Sequence, residues 1–440
     1  MLTLIANAFV YVSDVAETMI PDGAIALEDG RILEVGPADA LRERYVGRAD
    51  HLIDARGMVA LPGFVNCHAH ATLSANRADS DDLELFPWLA DGARRRTPHA
   101  DDAVYGSYLG AFEMVRGGIT YAVDCGRRDP LLYARIAREV GQRCLSGAMA
   151  NSEALRPGAG NWPVIVEETE RALAELPRDA AGMTRYFLGA HSPYLCTPEL
   201  LREVKREAER LDLPFDIHLA ECQDEVNVVR ERHGTSPLRF AHDLGLLDSR
   251  TILNHCVWIG EDELEILARS GANVAHCPIS NGKLASGVAP IRSFRAHGVP
   301  VGLGTDSTVS NNTLNMWEEM KVALLVQRAT SHNAREITAR DALAMATREA
   351  ATVVGMGDEL GTLEAGKRAD LQLVALEHPR GLTPDRVRSD LVWATRPEQV
   401  RLVLVNGETV YADGRLTKID EDGIRAAARE HFARRERGEI

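Results

Sequence analysis

Two imidazoles spaced two residues apart, His68 and His70, stand at the end of an apolar run over 58–65 in Leu61-Pro-Gly-Phe-Val-Asn-Cys-His-Ala-His70. Successive strand side chains alternate between faces, so residues two apart point the same way and both rings converge on one point. That is half of a metal site. Taken alone, so short a motif reads as well as two polar residues at a loop mouth, and the question becomes whether further ligands recur at later strand ends. They do. Pro214-Phe-Asp-Ile-His218 ends in a histidine with Glu221 three residues on, Thr251-Ile-Leu-Asn-His255 ends in another, and Val301-Gly-Leu-Gly-Thr-Asp306 ends in an aspartate. Imidazole and carboxylate ligands with one position open to water suit Zn2+ or Fe2+ and hydrolytic chemistry. A bound cation lowers the pKa of its water to about 7. Asp306 is suited both to ligate and to accept the water proton. Glu221, not needed as a ligand, is placed to carry a proton to the leaving group.

Such residues need a scaffold that gathers strand ends. Candidate strands over 59–66, 119–124, 143–149, 185–190, 214–219, 251–255, 272–276 and 299–304 alternate with helical stretches such as 103–116, 198–211, 261–270 and 291–297. Eight such strands in about 300 residues predict an α/β fold of the (β/α)8 TIM-barrel type, whose functional residues sit at the C-terminal strand ends. The rival, an open doubly wound sheet, lacks its Gly-x-Gly-x-x-Gly turn after the first strand. Residues 1–57 differ in texture, with short β-rich runs and a hairpin signal at Asp29-Gly30. The same texture returns at 369–374 and 400–405, followed by Asn406-Gly407. We therefore expect three parts. A small β-sandwich domain takes 1–57 and 356–418, the catalytic barrel takes 58–355, and 419–440 forms a charged helical tail whose default is a solvated helix.

The bulk properties are those of an ordinary globular chain, with 440 residues, 45% hydrophobic and 26% charged. A formal charge of −15 argues against nucleic acid or an anionic membrane as the main partner. It leaves an anionic small substrate open, since local arginines can oppose the global sign. No apolar stretch approaches the ~20 residues of a membrane span, and the N-terminal segment has no signal-peptide pattern, so a cytoplasmic location is expected. The seven cysteines are scattered without a Cys-x-x-Cys pair and read as reduced, packed thiols. Cys67, Cys222, Cys256 and Cys277 neighbour functional-looking residues, but their spacing matches no zinc–cysteine site, and small buried filler is the expectation.

Pro62-Gly-Phe-Val-Asn-Cys-His-Ala-His70, His218-Leu-Ala-Glu221, Asn254-His-Cys256 and Gly304-Thr-Asp306 together resemble the amidohydrolase superfamily. The nearest branch is the aminohydrolase and chlorohydrolase group, which holds S-adenosylhomocysteine, guanine and cytosine deaminases and triazine hydrolases. His191-Ser-Pro-Tyr-Leu-Cys196, Ser310-Asn-Asn312 and Gly361-Thr-Leu-Glu-Ala-Gly-Lys-Arg-Ala-Asp370 extend the likeness over nearly the whole chain. The resemblance implies one divalent ion, Zn2+ first and Fe2+ or Mn2+ as alternatives, held by His68, His70, His218 and Asp306. It implies that His255 hydrogen-bonds the attacking water, that Glu221 shuttles a proton, and that Glu221, His255 and Asp306 form the catalytic group. His191, Trp88 and Ser310 become the candidate substrate contacts. No lysine stands at the end of strand four, so the bridged two-metal form is not expected.

The implied reaction is hydrolytic deamination of a planar N-heterocycle (purine, pterin, pyrimidine or triazine), with metal hydroxide attacking the amine-bearing ring carbon. Displacement of chloride or another leaving group from a triazine-like ring is the near alternative, and cyclic amide hydrolysis a further one. A non-catalytic scaffold would be expected to have lost ligands, and none is missing. A homo-oligomer is expected by family analogy only. The chain also departs from its nearest likeness. After Trp88-Leu89, the segment Asp91-Gly-Ala-Arg-Arg-Arg-Thr97 has no glutamate at the spacing that nucleoside-deaminating members use to hold ribose. Their arginines after strand three are not evident either, Arg156 being the nearest, so the sequence points away from an adenosine-type substrate. Trp88 suits stacking on a planar ring or packing a lid. Arg94, Arg95 and Arg96 read first as a solvated charge run, with an anionic substrate group as the alternative.

Overall fold

Gly63 divides what reads in the sequence as one strand over 59–66. Met58–Pro62 pairs antiparallel with Leu371–Ala375, whereas Phe64–Ala69 enters a separate parallel sheet. A Cβ at Gly63 would stand 2.2 Å from the Thr120 side chain, so only glycine allows the chain to pass there. The Gly63 N–H donates to the Asp370 carbonyl at 3.0 Å and the Phe64 N–H to that of Gly118 at 2.9 Å, fastening the joint on both sides. Met58–Pro62, expected in the central unit, thus lies in the sheet made by the chain ends.

The computed structural model describes residues 1–95, 100–126, 129–156, 158–376 and 378–440, with the side chains of 93–95 outside the description. The sequence reading of Arg94, Arg95 and Arg96 as substrate contacts or charge run therefore falls outside the described residues. The parallel sheet runs in chain order through β1 (Phe64–Ala69), β2 (Ile119–Gly126), β3 (Arg143–Ala150), β4 (Thr184–Ala190), β5 (Phe215–Leu219), β6 (Thr251–His255), β7 (Asn273–His276) and β8 (Val301–Leu303). It closes on itself where Asp306 pairs with Ala69 and donates its N–H to the His68 carbonyl at 2.9 Å. Helices fill the crossovers, as eight parallel strands in a TIM barrel require. Pro198–Arg210 is typical. Thr197 caps it by accepting from the Leu200 N–H, and Leu200, Leu201, Val204 and Ala208 form its buried stripe.

The second sheet is mixed and nine-stranded. The N-terminal strands Leu2–Tyr11, Met19–Glu28, Arg31–Pro37, His51–Asp54 and Met58–Pro62 join the C-terminal strands Leu371–Ala375, Val400–Val405, Glu408–Ala412 and Arg415–Leu416. Asn406 and Gly407 both have positive φ, the turn expected of that dipeptide. Arg143, fully buried in β3, locks the two sheets together. Its guanidinium donates to both Asp370 carboxylate oxygens at 2.7 and 2.8 Å and to the Asn406 side-chain carbonyl at 3.2 Å.

The tail is helical over Glu421–Glu436, but it is not simply solvated. Glu421, Ala428 and His431 are buried along one stripe against Ala100–Arg116. Arg116 grips the Glu421 carboxylate at 3.1 and 2.7 Å, and His431 meets Asp102 at 2.8 Å. No helix among the described residues is long and apolar enough to cross a membrane.

Candidate active site

The C-terminal ends of the barrel strands bring the predicted residues together. His68 lies in β1 and His70 one residue past it. His218 lies in β5 and Glu221 two residues beyond its end; His255 closes β6, and Asp306 follows β8. The Nε2 atoms of His68 and His70 lie 3.6 and 3.5 Å from one oxygen of Asp306. That spacing is long for hydrogen bonds and fits atoms sharing a cation, since ~2.1 Å bonds at tetrahedral angles set donor atoms ~3.4 Å apart. The ring of His68 stands 5.0 Å from His218 and 5.4 Å from His255, centre to centre. His68 Nε2 is buried and has no hydrogen-bond partner among the described residues, an orphan that a metal ion satisfies.

Second contacts aim these rings. His70 Nδ1 meets the Cys125 carbonyl at 2.6 Å and His218 Nδ1 the His191 carbonyl at 2.8 Å. A carbonyl only accepts, so both rings carry the proton on Nδ1 and present a free Nε2 lone pair. Burial pushes His68 down to about 4 and His218 well below the usual histidine range, which keeps both neutral and able to ligate. Asp306 accepts from the Ser280 hydroxyl at 2.5 Å and the Ser307 N–H at 2.7 Å, two bonds that favour its ionised form. These donors fit one divalent ion.

Glu221 is buried, its carboxylate 3.7 Å from His255 Nε2. Burial, and then the Asp306 charge, push its carboxyl well above the usual range. His255 Nδ1 donates to the Asn281 side-chain carbonyl at 2.9 Å. Ala220, His255, Cys256 and Asp306 all have φ between 48° and 72°. Left-handed backbone at four non-glycine positions costs of order 1–3 kcal/mol each and persists where the surroundings impose it. Glu225 imposes one of these turns, accepting from the N–H groups of Ala220 and Glu221 at 2.9 and 2.8 Å.

Above these groups lies a cavity of about 1070 Å³, at the upper end of the ~300–1,000 Å³ of small-molecule sites. His191 lines it and stacks on His218 at 4.8 Å. Trp88 lines it too, while packing with Leu85, Cys222, Leu284 and Val309 in a small apolar cluster. Ser310 does not belong with the substrate contacts. It is fully buried away from the cavity lining, with its hydroxyl 2.8 Å from that of Ser307, because the turn after Asp306 folds inward. The cysteines are buried packers, and burial pushes the thiols of Cys67, Cys125, Cys256 and Cys277 up.

Two groups escape the sequence reading. Ser280 and Asn281 lie in the first turn of the helix Pro278–Lys283 that follows β7, where the strand-end rule points, but their side chains do not titrate, and so neither draws notice. Asp102, Phe432 and Arg435 also line the cavity. Nothing local marks Phe432 and Arg435, which sit more than 300 residues from Asp102 in the chain.

The model of the amidohydrolase family matches residues 59–410, and that of an imidazolonepropionase-like composite domain from bacteria matches 23–45. A 5-methylthioadenosine/S-adenosylhomocysteine deaminase of Desulforudis audaxviator is 38% identical over 99% of both chains. A 5′-deoxyadenosine deaminase of Methanosarcina acetivorans is 33% identical over 98% of both. Among solved structures, an adenosine deaminase from Xanthomonas campestris with bound zinc superposes with a TM-score of 0.91 at 28% identity, covering 98% of each chain. The zinc complex of atrazine chlorohydrolase from Arthrobacter aurescens reaches 0.88 at 25% identity, covering 97% of this chain and 99% of that one.

Proposed function

The chain belongs to the amidohydrolase family and is a hydrolytic deaminase of a heterocycle, and we propose that it works through one divalent ion held by His68, His70, His218 and Asp306. Zinc is first among the candidates, being present in both structures compared above. When bound, the ion acidifies a water and supplies a nucleophile at neutral pH. Asp306 takes the proton of the attacking water. His255, oriented by Asn281, hydrogen-bonds that water and aims it at the amine-bearing ring carbon. Glu221 gives its proton to the adjacent ring nitrogen, Asp306 passes the water's first proton to the departing amine, and the hydroxyl proton left on the ring carbon returns to Glu221. The carbon–nitrogen bond breaks, ammonia leaves, and the ring carbon becomes a carbonyl. The observation that carries this reading is the orphaned, buried His68 Nε2 facing Asp306, with Glu221 buried beside His255.

The names of the relatives favour a 6-aminopurine with a sugar-derived substituent over pterin, pyrimidine or triazine rings. With no glutamate after Trp88-Leu89, other residues have to hold that substituent. The test is a panel of 6-aminopurines and their nucleosides, guanine, pterins, cytosine and chlorotriazines given to zinc-loaded enzyme, with ammonia and halide both measured. Ammonia from the aminopurines is expected. Halide from chlorotriazines without ammonia would move the assignment to the displacement chemistry of the structural neighbour, and no product from any ring would overturn both.

A further inference from the structure

Glu225 imposes the left-handed turn at Ala220, and a second buried acid stands behind the left-handed turn at Asp306. Glu319 belongs to the helix Met316–Ser331, outside the barrel, and is fully buried. Among the described residues no cation pairs with it. Its two oxygens instead take one donor each from two different segments. One accepts from the Asn311 side-chain amide at 2.5 Å, the other from the Ile279 N–H at 3.3 Å. A carboxyl taken so far from water needs such donors, and both segments lead to Asp306. The Asn311 amide also donates to the Thr305 carbonyl at 2.7 Å, which fixes the peptide entering Asp306. Ile279 precedes Ser280, whose hydroxyl donates to the Asp306 carboxylate at 2.5 Å. Asp306 itself holds a φ of 58°, which a non-glycine residue keeps only where its surroundings impose it. The helix that presents Glu319 is fastened to the barrel next door. Trp317 Nε1–H donates to the Gly117 carbonyl at 3.0 Å, and its ring meets Phe64 edge-on at 4.6 Å.

We propose that Glu319 is a positioning residue for the metal centre, holding the Asp306 backbone through Asn311 and the Asp306 carboxylate through the Ile279–Ser280 turn. The inference rests on the reading of Asp306 as a ligand, so its test is made on metal binding itself. Zinc affinity is measured by competition with a chromophoric chelator, and ligand geometry by the visible absorption of the cobalt-loaded protein. Circular dichroism establishes that each variant is folded. Glu319→Gln keeps the size but turns one acceptor into a donor, so either Asn311 or Ile279 loses its partner. It is expected to weaken zinc binding by about 10–100-fold, the range for residues that orient ligands, and to shift the cobalt band. Ser280→Ala is expected to shift that band as well. The combined variant should lose less affinity than the product of the two losses, because they share a path. Glu318→Gln, exposed beside it, is expected to leave affinity and spectrum unchanged. A folded Glu319→Gln with the parent's affinity and spectrum, or losses that multiply in full with Ser280→Ala, overturns the proposal. Should Glu319→Gln not fold, Asn311→Ala, which cuts Glu319 off from Thr305, carries the same comparison. An unaltered protein that binds neither ion overturns the metal reading and this inference with it. A bound ion whose affinity Glu319→Gln leaves unchanged overturns the role of Glu319 alone.

Discussion

Glu221 is the buried carboxyl on which the proposed proton transfer turns. Burial beside Asp306 raises its carboxyl, and Glu225 pins its backbone so that the acid faces His255. Glu221→Gln keeps the shape and removes the proton. We expect kcat to fall by about 10²–10⁴, the usual contribution of a positioned acid–base group. Metal content by elemental analysis should stay at the parent level; loss of the metal would make Glu221 a ligand instead. At this scale much was legible beforehand. His68, His70, His218, His255 and Asp306 stand at strand ends, and residue type with position announced them. Ser310 was misplaced because a motif says nothing of which way a turn folds. Asn281 and Ser280 were missed because their role is to orient other groups.

The strands carry a different lesson. Seven of the eight barrel strands lie within a few residues of where apolar runs and strand-end signals place them. The exception is the first, where two strands of different sheets share one uninterrupted apolar run. Gly63 separates them through its closeness to Thr120, a contact between residues 57 positions apart. Gly63→Ala forces a Cβ into that side chain, and overpacking of this kind costs about 1–3 kcal/mol. Urea denaturation should show the midpoint falling accordingly, and an unchanged midpoint would mean that the joint tolerates a side chain. The tail helix was legible as a helix, but its buried stripe of Glu421, Ala428 and His431 mixes charged with apolar types, so the pattern hid the docked face.

Across the molecule, the barrel and the mixed sheet are joined by a buried charge pair. Removing one partner of such a pair leaves the other uncompensated, at a cost of about 3–5 kcal/mol. Arg143→Ala should therefore destabilise strongly by leaving Asp370 unpaired. A loss below about 1 kcal/mol in chemical denaturation would show that the pair is replaceable and its role overstated. The sequence by itself determined the barrel and the class of chemistry, and it put the proposed metal ligands at strand ends. Each of these is written in short-range pattern: alternation along strands, and histidines or carboxylates at strand ends. The tertiary structure alone decided where the barrel begins, which residues orient the ligands, and which helix walls the cavity. Those depend on contacts between segments tens to hundreds of residues apart, whose partners become neighbours only when the chain has folded.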